Sequence, residues 1–202
     1  MAQEDPTLWK IEPVENFLYQ HLFFRGINKI IWQYWGEDIS DIQENFITFP
    51  RKSEVKPDLS ADWSKFCQNP KDTLIRLCLT SYSRKHKIPI SRAIQDLGIS
   101  LNTSIYGLSI KDLEISDDFV LEARKKNGII RFQIGELMKL IKKEQLPIKL
   151  KHDPIKKTDG INLFLNHAHS IIEGFSRINY TKIRSLLRDI AKWCKGFEPI
   201  IE

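Results

Sequence analysis

Cysteine is scarce in this sequence and scattered where it occurs. Cys67, Cys78 and Cys194 stand far apart, with no Cys-x-x-Cys pair. An odd, unclustered set excludes a disulfide framework and a zinc site built on cysteine pairs. The chain has five histidines, and His167 and His169 are two apart, a spacing that points them in different directions on a helix. No metal site is expected from them, and solvent-facing or capping roles are the default. No apolar run approaches the ~18 uncharged residues of a membrane span. The start, Met-Ala-Gln-Glu-Asp-Pro, is acidic, unlike the basic leader of a signal peptide. A cytoplasmic protein without membrane contact is the expectation. Glycine-rich phosphate loops, nucleophile elbows and zinc signatures are also missing, and no long-period repeat is visible.

What is present suits a globular protein. The 202 residues are 42% hydrophobic and 28% charged, enough for one good core or two small domains sharing an interface. The formal net charge of +5 hides a division. Residues 1–70 carry 7 Lys/Arg against 11 Asp/Glu, a balance of −4, while the remainder carries 24 against 15, a balance of +9. Such asymmetry points to a polyanion-binding part beside a protein-binding part. The acidic third also holds 12 of the 21 aromatic residues, marking either the main core or a docking face.

The spacing predicts a long helix over Pro13–Trp35, with Pro13 in its first turn and Gly36 as its left-handed cap. Val14, Phe17, Leu18 and His21 form one stripe, and Phe23, Ile27, Ile30, Ile31 and Tyr34 extend it to other faces. A helix apolar on most sides is either central or an interface. Glu15, His21, Arg25 and Lys29 exclude a membrane span, at a cost of roughly 2.5 kcal/mol or more for each cation in hydrocarbon. If the helix is an interface, Phe23, Phe24, Trp32 and Trp35 are its candidate contacts. A short helix is expected over Asp38–Asn45, an extended piece at Phe46–Pro50 and a loop at Arg51–Ser60.

Further helices are expected over Asp72–Tyr82, from Ser91 to a turn at Gly98, from a cap at Ser100 or Asn102, over Asp117–Lys126 behind a Ser116 cap, and over Gly135–Glu144. Ile129–Gln133 reads as strand or helix. Leu146–Gly160, rich in lysine and broken by Pro147 and Pro154, reads as a connector and the best domain boundary. Two further helices, over Ile161–Phe175 and from Asn179 or Thr181 to Phe197, complete a C-terminal hairpin. The expected fold is mostly α: a compact helical bundle with at most a small β element. Its parts are a body over 1–146, a connector over 147–160 and the hairpin over 161–202.

The last helix places Arg184, Arg188, Lys192 and Lys195 on one stripe, with Lys182 beside them. Together with Lys142, Lys143, Lys149, Lys151, Lys156 and Lys157 they offer a track for phosphates. A solvated cationic face, favoured by the helix dipole near its C-terminus, is the competing explanation. Ser91–Leu108 has the outline of a helix-turn-helix. Its Ala93 and Gly98 are five apart where four is usual, and Asn102–Leu108 is poor in base-reading side chains. Phe132-Gln-Ile-Gly-Glu-Leu-Met-Lys-Leu-Ile resembles the opening of a winged-helix or MerR-type domain. Pro57-Asp58 resembles the first half of a nuclease carboxylate motif, but Glu54-x-Lys56 precedes it in the wrong order, and metal-assisted hydrolysis needs convergent carboxylates.

Asn179-Tyr-Thr-Lys-Ile-Arg-Ser-Leu-Leu-Arg, after His167-Ala-His-Ser-Ile-Ile, resembles part of the small helical subunit of CRISPR effector complexes. The resemblance covers less than one-fifth of the chain and implies a non-catalytic bundle with Arg184 and Arg188 on a nucleic-acid backbone. The expected function is therefore a non-catalytic, cofactor-free subunit that touches DNA or RNA phosphates and docks a protein partner or a second copy. A sequence-specific helix-turn-helix regulator is the alternative, and an enzyme such as a nuclease or toxin, assembled from distant residues, stays open as a third reading.

Overall fold

A computed structural model describes residues 5–28, 59–101, 113–157, 164–175 and 180–200, with the side chains of Leu101 and Tyr180 outside the description. Two 3-10 turns, Pro6–Leu8 and Val14–Asn16, lead into strand β1 (Leu22–Asn28). β2 (Leu59–Trp63) precedes helices α1 (Pro70–His86) and α2 (Ile90–Asp96). A small ladder, β3 (Ser100–Leu101) with β4 (Leu113–Glu114), comes before α3 (Asp117–Arg124). β5 (Asn127–Gln133) runs straight into α4 (Ile134–Lys143), followed by β6 (Lys149–His152) and β7 (His169–Glu173). Helix α5 (Tyr180–Ile190) and β8 (Lys192–Trp193) close the described chain.

The fold is α/β and overturns the expected helical bundle. Six strands form one antiparallel sheet in the order β6–β7–β2–β1–β5–β8. Successive strand residues face opposite sides, and both sides of this sheet are covered. On one side Phe23, Ile27, Trp63, Ile130 and Phe132 pack with Leu137 of α4 and with Ile183 and Leu187 of α5. On the other, Phe24 and Ile129 pack with Leu74 of α1 and Ala123 of α3. Gly26 lets α1 come close, since a Cβ there would sit 2.6 Å from Leu77 Cδ2.

Double burial explains the misreading. A strand covered on both faces loses polar alternation and reads as a continuous apolar run, which helical spacing also fits. The predicted Pro13–Trp35 helix is instead a 3-10 turn and strand β1 as far as Asn28; residues 29–50, including Trp32 and Trp35 and the Asp38–Asn45 and Phe46–Pro50 expectations, lie outside the described residues. The first helix of the C-terminal hairpin is replaced by β7, and the second stops at Ile190 before turning into β8. The connector contains β6, an outer strand of the sheet, so strands from both sides of the expected boundary share one sheet. After Gly98 (φ 67°) the chain enters β3, where a second short helix was expected. Residues 102–112 lie outside the described residues.

Other expectations fit. Helix α1 runs past both predicted ends, from an Asn69 cap that accepts the Lys71 N–H to Lys87 in the left-handed region, just ahead of Pro89. Ser116 Oγ accepts the Phe119 N–H and starts α3. The three cysteines are free, and burial pushes each thiol up to about 12. Among the described residues no helix is long and apolar enough to cross a membrane.

Candidate functional site

Titratable and aromatic side chains gather at one end of the sheet. β2 delivers Asp62 and Trp63 to opposite faces. β6 ends at His152, whose Cα pairs with Ser170, and the chain returns through a bridge between Ile155 and Asn166. β7 then opens with His169 paired to Asp62. This antiparallel register brings four of the chain's five histidines, His21, His152, His167 and His169, to one corner.

On the α4/α5 side, Trp63 is fully buried and its indole N–H donates to His21 Nδ1 at 3.1 Å. The same nitrogen takes the Leu18 backbone N–H at 3.2 Å. His152 Nδ1 accepts the Glu12 backbone N–H at 2.9 Å, and its Nε2 lies 2.7 Å from the His167 carbonyl oxygen. A carbonyl only accepts, so Nε2 carries the proton and the ring is neutral. Phe66 stacks on both His167 and His152, at centroid distances of 3.9 and 5.1 Å, and Trp9 stacks on His167 at 4.7 Å. Lys65 Nζ lies 5.2 Å from the Trp63 and Phe66 centroids, within cation–π range, and 2.7 Å from Glu12 Oε2.

The electrostatics follow from this packing. Burial lowers the basicity of His152; the His167 carbonyl and the Glu12 and Asp153 charges oppose it without overcoming it. Burial, reinforced by Lys65, does the same to His21. Lys65 holds the Glu12 carboxyl below its ordinary range.

On the α1 side, Asp62 is a buried carboxylate with both oxygens engaged. Oδ2 accepts from Thr73 Oγ1 at 2.6 Å and from Arg76 Nη1, and Oδ1 accepts from Asn166 Nδ2 at 2.7 Å. Burial alone would favour the neutral acid, but the Arg76 charge and these bonds outweigh it and leave the carboxyl below its usual range. Asn166 passes the link on by accepting the Ala168 N–H, and His169 Nδ1 donates to the Asp153 carbonyl at 2.7 Å. These partners tie β2, α1 and the segments around the Ile155–Asn166 bridge into one unit.

The predicted basic residues lie elsewhere and do not form one stripe. Because α5 ends at Ile190, Lys192 falls on β8 opposite Arg131 and Lys195 in the following turn. Several of these cations already have acidic neighbours. Lys182 lies 3.1 Å from Glu144, Lys192 3.8 Å from Glu136, and Arg188 2.7 Å from Asp189. Arg184 is half-buried on α5. Lys142 and Lys143 are exposed in the last turn of α4, with Lys143 3.9 Å from Glu144. Lys149 and Lys151 are exposed on β6, and Lys156 and Lys157 are exposed just beyond it.

The expected partner contacts Phe23 and Phe24 are buried, one on each face of the sheet. Among the described residues the exposed large apolar side chains are Leu8, Ile11, Val14, Leu18 and Tyr19, clustered earlier in the chain, and Leu121 on α3. Sequence reasoning missed the corner itself. Asp62, His152 and residues 166–169 meet only through the β6–β7 and β7–β2 registers, so the sequence carried no local signal for the corner. Among the described residues, no group of three or more His, Cys, Asp or Glu is placed to hold a metal ion. A cavity of about 400 Å³ between α2 and α3, lined by Leu97, Ile99, Ser100, Glu114, Ser116 and Phe119, brings one carboxylate and no partner for it. No family model, curated protein or solved structure matches the chain.

Proposed function

We propose that the chain is a non-catalytic, nucleic-acid-associated subunit of a larger complex. Phosphate contact falls to the lysines of the outer strand β6 and the segment after it, and partner contact to the exposed apolar side chains of residues 8–19. The observation that carries this reading is the alternation on β6. Leu150 and His152 are buried while Lys149 and Lys151 are exposed on the opposite face, with Lys156 and Lys157 exposed further along. Among the described residues no acid lies within ion-pair distance of Lys149, Lys156 or Lys157, and Lys151 has only Asp153 at 3.6 Å. Lys149 and Lys151 each sit beside a single acid, Glu173 across the β6–β7 ladder and Asp153, while Lys156 and Lys157 keep their charge available for a polyanion.

The engagement of His152 and Asp62 inside the fold, and three thiols too weakly acidic to be nucleophiles at neutral pH, favour binding over chemistry. Exposed Leu8, Ile11, Val14, Leu18 and Tyr19 supply the apolar component that protein interfaces use. The resemblance to the small helical CRISPR subunit belongs to the same reading and would add Arg184 and Arg188 to the backbone contacts.

Fluorescence anisotropy with labelled single- and double-stranded DNA and RNA tests the proposal. Changing Lys149, Lys151, Lys156 and Lys157 together to Glu is expected to abolish binding while leaving the thermal transition in place. Unchanged affinity in that variant would refute phosphate contact through β6.

A further inference from the structure

We infer that the N-terminal strap, residues 5–16, is a pH-sensitive latch, fastened to the sheet by neutral His152 and released when that ring takes up a proton, while His21 holds the chain just beyond it. Three N–H donors converge on two ring nitrogens. Glu12 N–H points at His152 Nδ1, and Leu18 N–H and the Trp63 indole N–H point at His21 Nδ1. A protonated imidazole has no lone pair, so Nδ1–H would face N–H in all three contacts. His152 cannot escape by changing tautomer, because its Nε2 proton is already committed to the His167 carbonyl.

Release has a defined limit along the chain. From Phe17 onward the segment is anchored independently: Phe17 is 2% exposed, Gly135 N–H donates to the Tyr19 carbonyl at 3.1 Å, and Ile134 N–H donates to the His21 carbonyl at 2.9 Å. Before Phe17, the described attachments to the body include the Glu12–His152 bond, the Glu12–Lys65 ion pair and the Trp9–His167 stack. Leu8, Ile11 and Val14, at 73%, 60% and 53% exposure, contribute little burial to hold it.

The charged groups around the rings set the pH window. Facing His152 are Glu12 from the strap, Lys65 from the turn after β2, Asp153 on its own segment, and His167 from the segment before β7. Facing His21 is Lys65. Burial holds His152 less basic than a free imidazole, and release of the strap opens that ring to water, so the undocked state binds more protons. Docking is therefore at full strength above roughly pH 6.5 and weakens as the pH falls below it. Glu12 stays ionised beside Lys65 to below 4.5, so the range from there up to about pH 6.5 isolates the histidine step. The latch stands whether or not β6 binds phosphate.

Amide hydrogen exchange followed by NMR reads the latch residue by residue. The Glu12 amide is expected to lose protection about tenfold or more between roughly pH 7.5 and 5, after correction for intrinsic exchange, while the Ile130 amide in β5 keeps its own. In His152→Asn an oxygen acceptor stands near the place of Nδ1 and cannot titrate, so the Glu12 amide is expected to lose most of its pH dependence. Should that variant fail to fold, the ¹⁵N ring shifts of wild-type His152 decide: a bare Nδ1 at neutral pH, titrating together with Glu12 protection, supports the latch. A proton on Nδ1 at neutral pH would overturn it. So would Glu12 protection that ignores the ring titration, parallel loss at Ile130, or full pH dependence persisting in His152→Asn.

Discussion

Asp62 and Trp63 are neighbours on one strand, yet the two sides of the sheet they enter treat charge in opposite ways. On the α1 side a carboxylate is buried and kept ionised, because Arg76, Thr73 and Asn166 surround it with a cation and donors. On the α4/α5 side two imidazoles are kept neutral, because the groups aimed at their Nδ1 atoms are themselves donors. Burial works against charge on both sides. The difference lies in the partners, which are complementary to an anion in one case and to a lone pair in the other. The first arrangement makes a structural tie that resists acid; the second makes one that acid undoes.

The largest expected effect comes from breaking the charged side. Arg76→Leu leaves the Asp62 carboxylate buried without its cation and is expected to cost about 3–5 kcal/mol in urea unfolding. Adding Asp62→Asn to that variant removes the stranded charge and should restore part of the loss. A smaller loss in the single variant than in the double would contradict the description of Asp62 as an ionised, dependent group.

The pH dependence of stability separates the two sides further. The histidine contribution is present above roughly pH 6.5 and is lost as the pH falls through the depressed folded values of His21 and His152. The Asp62 contribution is present above its ordinary value of 3.8 and is lost only as the pH falls through a lower folded value. Urea midpoints measured across acid pH should therefore decline in two stages, with the first stage diminished in His152→Asn and the second in Asp62→Asn.

A weaker effect is expected where the two regions meet solvent. The Lys65–Glu12 pair is partly exposed, so screening limits its worth, and Lys65→Met should cost about 0.2–1 kcal/mol. On β6, Lys149→Glu sets two carboxylates opposite each other at Glu173 and should cost about 0.2–1 kcal/mol, whereas Lys151→Gln should alter stability by no more than about 0.5 kcal/mol, since that side chain is exposed.

Helices were legible in the sequence where one face is buried and the caps are local. Leu74, Ile75, Cys78 and Leu79 announce α1, Ser116 announces α3, and Leu137, Met138 and Ile141 announce α4. Strands were harder to read, because β1 and β5 are covered on both faces; Ile129–Gln133 within β5 alternates enough to offer a strand but fits a helix as well. In β7, Ile171 and Ile172 continue by coincidence a helical spacing begun at Phe164, Leu165 and Ala168. Strand β6 does alternate, Lys-Leu-Lys-His, but its four residues sit between prolines and more lysines that read as connector. The aromatic and β-branched content of Leu22–Asn28 and Asn127–Gln133 was the usable strand signal. The histidine corner depends on the β6–β7 and β7–β2 registers, which join residues far apart in the chain and leave no local trace.

The salt dependence of nucleic-acid binding tests the proposed function most directly. Each phosphate contact adds about −0.9 to the slope of log K against log salt for duplex DNA, or about −0.7 for single strands. Wild-type protein should show a steep negative slope, reduced by roughly 2 to 4 when Lys149, Lys151, Lys156 and Lys157 all become Gln. An identical slope in the two proteins, or no binding by the wild type at low salt, would contradict phosphate contact through β6.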